Sequence, residues 1–325
     1  IFFMTLISGT LITASSSSWL GMWMGLEINL LSIIPIMSSV KNQMESEAAM
    51  KYFITQAIAS SIFLIAVLIL MSSLTNQIMI YTIMNSAILT KMGGAPFHFW
   101  FPEVLEGLSW MNSLIMLTWQ KVAPMIIMMY STMTTMFLSI AIVSSMMISG
   151  IMGINQTSLR KIMAYSSINH IGWLISSTFM IQTIWLIYLT IYSIISASII
   201  MMMKIKNMFH MKQLINSLSS SKMMKMMFIM NFLSLGGLPP FLGFFPKWIT
   251  INFLIENSFF MMTYIMIIMT LMTLYFYLRI TFSTMLLMNT EMTTKMSKNE
   301  SFSVTLSNIF LLTALILCTS LFNFI

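Results

Sequence analysis

Charged residues and cysteine are scarce in this sequence. Only 7% of its 325 residues are charged, it has a single cysteine, and all eight of its acidic residues are glutamate. One cysteine excludes a disulfide framework within the chain, and no Cys/His spacing typical of zinc, haem or an iron–sulfur cluster occurs. The cations are scattered singly, without the interleaved aromatics of a nucleic-acid-binding face. We therefore expect no metal, no cofactor and no nucleic acid bound to this chain.

Long apolar runs dominate what is present. Hydrophobic residues make up 58% of the chain, and the mean hydropathy is +0.91. A membrane span needs about 20 apolar residues, and the runs here are continuous, whereas barrel strands alternate. We predict an all-α, polytopic membrane protein with about eleven transmembrane helices. The predicted spans are 1–14, 19–38, 50–72, 78–101, 109–130, 134–153, 160–180, 183–204, 225–255, 259–283 and 303–324.

The distribution of lysine and arginine supports this set of spans. Of the fifteen cations, all that lie in or beside loops fall on even-numbered loops. These are Lys41, Lys51, Arg160, Lys161, Lys204, Lys206, Lys212, Lys222, Lys225, Arg279, Lys295 and Lys298. By the positive-inside rule, the loops on one side of a membrane, the cytoplasmic side, are enriched in lysine and arginine. The N-terminus should therefore share the positive side of the membrane, and the C-terminus should lie opposite.

The other three cations, Lys91, Lys121 and Lys247, lie within predicted spans, as does Glu27. Charges inside a bilayer cost about 2.5–3.5 kcal/mol each on insertion scales and are usually functional. One interpretation is a structural ion pair between Glu27 and a lysine. The other is a proton relay, because a desolvated lysine gains or loses its proton as neighbouring charge changes. His170 also lies within a span, where it could be a packing residue or a link between lysines.

Two segments of the chain resemble each other. The stretch KMGGAPFHFWFPE at 91–103 shares its Gly-Gly, Pro-Phe and second Pro with GGLPPFLGFFPKW at 236–248. Each falls in the fourth span of a set of five, so the second set would be inverted relative to the first. Paired broken helices in inverted repeats indicate an ion or substrate site near the middle of the membrane. We predict breaks at 93–96 and 236–240, and three units: repeats at 1–130 and 134–283, then a loop and helix at 284–325.

A lysine-rich loop at 204–225 has two interpretations. Its five lysines could bind anionic lipid headgroups such as cardiolipin, or they could serve only to determine topology.

Five motifs carry a family resemblance: WMGLEINLLSIIPIM, KMGGAPFHFWFPEV, LTWQKVAPM, NQTSLRKIMAYSSINHIGW and NFLSLGGLPPFLGFFPKW. Together they resemble the chain 2 family of mitochondrial NADH–ubiquinone oxidoreductase, in the eleven-helix form of animals such as arthropods. The resemblance implies an antiporter-like, proton-pumping subunit in the membrane arm of respiratory complex I. Its partners would be other membrane-arm subunits, while FMN, iron–sulfur clusters and ubiquinone would be bound elsewhere in the complex.

The resemblance also assigns a location and residue roles. It implies the mitochondrial inner membrane, with the N-terminus on the matrix side and the C-terminus on the intermembrane-space side. Glu27 and Lys91 would form the charged pair of a first half-channel, within ion-pair reach of each other. Lys121 would be the central relay lysine, His170 the membrane histidine, and Lys247 the lysine of the second half. The rival interpretations are a stand-alone cation/proton antiporter and a purely structural scaffold.

Overall fold

The computed structural model describes residues 1–39, 42–72, 77–179, 182–218 and 222–286, and these form an all-helical bundle. The helices are α1 (Phe2–Ser15), α2 (Trp19–Met37), α3 (Gln43–Ser72), α4 (Gln77–Met92), α5 (Trp100–Gly107), α6 (Trp110–Leu117), α7 (Val122–Tyr130), α8 (Thr135–Ile154), α9 (Leu159–Thr178), α10 (Gln182–Ile205), α11 (Met211–Leu218), α12 (Lys222–Gly236), α13 (Phe244–Glu256) and α14 (Phe260–Leu286). A 3-10 turn at Trp119–Lys121 joins α6 to α7.

Each of the first ten predicted spans coincides with a helix or with a pair of helices separated by a break. Within the described ranges, six segments are long and apolar enough to cross a membrane: α2, α3, the combined α6–α7 segment, α8, α10 and α14. The predicted eleventh span at 303–324 lies outside the described residues, as do Lys41, Lys295 and Lys298. The lysine-rich stretch at 204–225, predicted as a loop, contains the short helix α11.

Both predicted helix breaks are present, and the two helices before them end in the same way. Gly93 follows α4 with φ +73°, and Gly237 follows α12 with φ +80°. The next amide in each case donates to the carbonyl five residues earlier, from Gly94 to Leu89 and from Leu238 to Leu233. This is the glycine-terminated helix end in which a left-handed residue stops the α-helix. The prolines that follow prevent the helix from continuing directly.

A third break was not predicted. The span expected to be continuous at 109–130 is interrupted where Lys121 lies. Pro124 explains the interruption, because proline has no N–H to donate to the carbonyl four residues earlier and its ring clashes with that carbonyl. The amides of Lys121 and Val122 instead bond the carbonyls three residues earlier, those of Thr118 and Trp119.

Helix α9 lies within the described bundle and carries His170. Every residue from Ile162 to Thr178 is buried, and α9 packs against α5, α8, α10 and α13. A helix that is buried on all sides belongs to the core of a large bundle. The helix after the first break and the helix after the second break therefore both contact the one that carries the membrane histidine.

Candidate functional site

The four basic side chains singled out from the sequence are all buried. The exposed fractions are 7% for Lys91, 2% for Lys121, 5% for His170 and 6% for Lys247. Burying an ammonium without compensation costs several kcal/mol or more, so each lysine needs polar groups around it. The neighbours of each side chain therefore indicate how its charge is accommodated.

Lys247 lies beside the second helix break. Its ammonium donates to the Gly236 carbonyl at 2.9 Å and to the Leu235 carbonyl at 3.3 Å. These carbonyls belong to the last turn of α12, where the helix no longer supplies amide donors. The negative end of the α12 dipole also favours a cation at this position. Lys247 therefore lies directly against the second break.

Lys121 lies at the interruption between α6 and α7 and reaches across to α9 and α10. Its ammonium donates to the Tyr192 hydroxyl at 3.2 Å and to the Ser167 carbonyl at 3.4 Å. The same nitrogen is 4.5 Å from the centre of the Tyr192 ring, which adds a cation–π attraction. Its partners are therefore neutral groups that belong to helices distant in the sequence.

His170 is linked to the same tyrosine. Its ring centroid is 4.8 Å from that of Tyr192, and its Nδ1 is within hydrogen-bond distance of the Tyr188 hydroxyl, at 2.9 Å. Its Nε2 is buried and has no hydrogen-bond partner in the described part of the chain. A cavity of about 10 Å³ lies between this histidine and the second break, with Leu235 and Gly243 in its lining. A cavity of that size is at the lower limit for one water molecule.

Lys91 faces a second small cavity, also about 10 Å³, at the end of α4. Its polar lining is made of the side chains of Asn29, Tyr52, Gln56 and Gln120. We call this space the amide chamber. Gln56 also donates to the backbone carbonyl of Lys91 at 3.3 Å, which satisfies a carbonyl freed by the break. Amide groups can solvate a lysine ammonium, and they do not fix its charge as a carboxylate would.

Glu27 forms no salt bridge in the described part of the chain. The salt bridges formed by described residues are Lys51 to Glu47 and to Glu103, and Lys161 to Glu106. Glu27 is half-buried on α2, and neutral polar side chains line the amide chamber beside Lys91. That Glu27 and Lys91 lie within ion-pair reach of each other stays a prediction.

His98, which follows the first break, is also buried. Its Nδ1 is 3.2 Å from the Pro96 carbonyl. The side chain therefore caps a carbonyl that the break leaves without a helix partner. This contact gives His98 a structural role at the first break.

Several residues of the site are uncharged, and the positions of the charged residues in the sequence do not predict them. Tyr188 and Tyr192 are four residues apart on α10, so they share one helix face within a predicted membrane span. Asn29, Gln56 and Gln120 are amide side chains inside apolar spans, where polar residues are rare. These two features were visible in the sequence and could have indicated the site.

The arrangement defines a class of protein. Lysines are held at interrupted membrane helices by carbonyls, tyrosines and amides, with a histidine between two of them. Broken helices at equivalent positions with buried ionisable groups are typical of membrane transporters that move ions or protons. A match to a family model is consistent with this class: residues 16–273 match the NADH:quinone oxidoreductase/Mrp antiporter transmembrane family.

Similar proteins specify the family further. The NADH-ubiquinone oxidoreductase chain 2 of Anopheles gambiae is 48% identical over 307 residues, which cover 92% of this chain and 89% of that protein. The protein of the same name from Locusta migratoria is 45% identical over 295 residues, covering 90% and 86%. The chain belongs to the NADH-ubiquinone oxidoreductase chain 2 family.

The fold is also found in a solved structure. A chain of respiratory complex I from Thermus thermophilus with bound aureothin aligns with a TM-score of 0.85 and 20% identity. The alignment covers 96% of this chain and 76% of that chain. At this identity the similarity establishes the shared helical fold.

Proposed function

We propose that this chain translocates protons in the membrane arm of respiratory complex I, through a relay of Glu27, Lys91, Lys121, His170 and Lys247. Family membership supports the place in the complex. The observation that carries the relay is the burial of three lysines among neutral partners, without a contacting carboxylate. A buried lysine held by neutral groups keeps or releases its proton as nearby charge changes.

The order of transfer follows the contacts. Lys121 bonds Tyr192, whose ring lies against His170. His170 lines the cavity that reaches the carbonyl end of α12, where Lys247 is bound. On the other side, Lys91 shares the amide chamber with Gln120, the residue before Lys121. A proton could thus pass between the two helix breaks through Lys121 and His170.

Electron transfer belongs to other subunits in this proposal. A single cysteine cannot provide the ligands of an iron–sulfur cluster, so FMN, the clusters and ubiquinone are assigned to the parent complex. The chain acts as a non-redox subunit of the NADH:ubiquinone reductase. Its partners are other membrane-arm subunits.

The proposed location is the mitochondrial inner membrane, as a multi-pass protein. The positive loops and the N-terminus face the matrix, and the C-terminus faces the intermembrane space. Lys204 and Lys212, both exposed, make the 204–225 segment a binding surface for anionic lipids such as cardiolipin.

The finer architecture is part of the same proposal. We assign eleven spans in two inverted five-span repeats, 1–130 and 134–283, with the remaining loop and helix at 284–325. The matching glycine-terminated ends of α4 and α12 support the repeat, because in each set the fourth span is interrupted at a positive-φ glycine. A stand-alone cation/proton antiporter would share this fold, and co-purification with a large assembly distinguishes the two.

The test replaces Lys247 in the assembled complex. Lys247→Met keeps the side-chain length and removes the proton site, so NADH-driven proton pumping should fall by at least about tenfold while the complex still assembles. Lys247→Arg keeps a permanent charge because arginine does not release its proton, and it should pump no better. The measurements are NADH oxidation, proton uptake and the amount of assembled complex.

The exposed Lys51→Met is the matched control, and it should leave pumping unchanged because it removes only surface ion pairs. Full coupled activity in Lys247→Met would show that the lysine is structural. Activity in Lys247→Arg alone would show that only a fixed charge is needed at this position. Complete loss of the assembled complex in both variants would instead favour the scaffold interpretation.

A further inference from the structure

The 3-10 turn at Trp119–Lys121 contacts both halves of the site through two consecutive residues. Gln120 donates from Nε2 to the Asn29 Oδ1 at 3.1 Å and accepts from the Tyr52 hydroxyl at 3.4 Å. Lys121, the next residue, donates instead to Tyr192 on α10. One residue is therefore anchored to α2 and α3, and its neighbour is anchored to the helices on the other side.

Few backbone hydrogen bonds hold this turn, so side-chain hydrogen bonds help to fix its position. Pro124 removes the helical hydrogen bond that would otherwise reach the Gln120 carbonyl. Two backbone bonds remain in the turn, from Lys121 to the Thr118 carbonyl at 3.3 Å and from Val122 to the Trp119 carbonyl. The hydrogen bonds of the Gln120 side chain add to these two in fixing the position of the turn, and with it the position of the Lys121 ammonium.

Gln120 also shares a cavity with a charge. It lines the amide chamber together with Lys91. The Asn29 and Gln120 amides each use one oxygen in the network, and each amide oxygen has a second lone pair that can face an ammonium. Because the two residues border one small cavity, a change of charge at Lys91 changes the electric field at the hydrogen bonds that hold the turn.

We propose that Gln120 is a positioning residue that sets Lys121 against Tyr192 and couples this position to the charge on Lys91. The inference rests on the proposed function, since it takes Lys121 to be a proton carrier. Gln120 itself carries no proton, because an amide is neither protonated nor deprotonated near neutral pH. Its role is to make the position of Lys121 depend on the charge of Lys91 at the first helix break.

The first experiment compares two glutamine substitutions in the assembled complex. Gln120→Met keeps the length of the side chain and removes both of its hydrogen bonds, and proton pumping per NADH oxidised should fall by roughly tenfold, the effect of losing two ordinary hydrogen bonds. The control is Gln156→Met, because the Gln156 amide bonds only the nearby Met152 carbonyl in the described structure. The control should pump like the unmodified complex.

The second experiment tests positioning against simple packing. Gln120→Glu still accepts from Tyr52 and adds a carboxylate between Lys91 and Lys121. Pumping should be restored at least in part relative to Gln120→Met, and the alkaline limb of its pH profile should move to higher pH because the carboxylate holds protons on the lysines. A residue that only fills space would leave that limb unchanged.

The outcomes separate this inference from the proposed function. Normal pumping in Gln120→Met, or an unmoved pH profile in Gln120→Glu, overturns the inference. Lys121→Met is measured alongside, and full coupling in that variant would overturn the relay itself. Loss of pumping in Lys121→Met with normal pumping in Gln120→Met would leave the relay standing and remove only the role of Gln120.

Discussion

The binding of Lys247 at the second helix break can be disturbed without changing the lysine, through Gly237. This glycine has a φ of +80°. A Cβ added there would lie 2.9 Å from both the Cδ and the Nζ of Lys247. Gly237→Ala should therefore push the ammonium away from the Gly236 and Leu235 carbonyls, because the flexible lysine can move and the backbone cannot.

Two terms give the size of the effect. A residue other than glycine in the left-handed region costs about 1–2 kcal/mol. Loss of a hydrogen bond from a charged donor costs about 1.5–3 kcal/mol. Together they disfavour the native arrangement by roughly 2.5–5 kcal/mol, which lowers the population with Lys247 in place by at least about 60-fold.

The assay is NADH-driven proton uptake by the assembled variant complex, with its thermal stability measured in parallel. Gly236→Ala is the control one residue earlier. An added Cβ there meets only ordinary contacts, the nearest being Tyr277 Cδ2 at 3.6 Å. This control should pump normally and should be as stable as the unmodified complex. Equal pumping by Gly237→Ala and Gly236→Ala would refute the argument that the break holds the lysine in its working position.

Two further predictions follow from contacts elsewhere in the site. Tyr192→Phe keeps the ring against Lys121 and removes the hydroxyl acceptor, so proton pumping should fall by up to about tenfold while assembly is retained, as judged by proton uptake and native gels. Glu106→Gln breaks a partly exposed ion pair with Lys161 at 2.7 Å, so it should change the free energy of unfolding by less than about 1 kcal/mol and leave pumping intact. A severe loss of assembly in Glu106→Gln would show that this surface pair is structurally required.

Local features of the sequence were sufficient to predict most of the helices and two of the three breaks. Apolar runs of span length identified these helical segments, since the bilayer sets their length. The short helix α11 and the interruption before α7 were not predicted. Gly93 and Gly237 end their helices as predicted, because glycine reaches positive φ at little cost and proline cannot continue a helix. The position of Lys247 beside the second break also follows from local sequence, because its carbonyl partner at Gly236 is only eleven residues away along the chain.

What the sequence by itself determined was therefore the set of buried charges and the points where helices stop. Only the tertiary structure decided which groups surround those charges. Tyr192 is 71 residues from Lys121, and Asn29 is 91 residues from Gln120. Such contacts depend on how each helix is rotated and packed against the next, which no local pattern specifies. For the same reason, the charge of Lys91 alone did not indicate the amide side chains that line the cavity beside it.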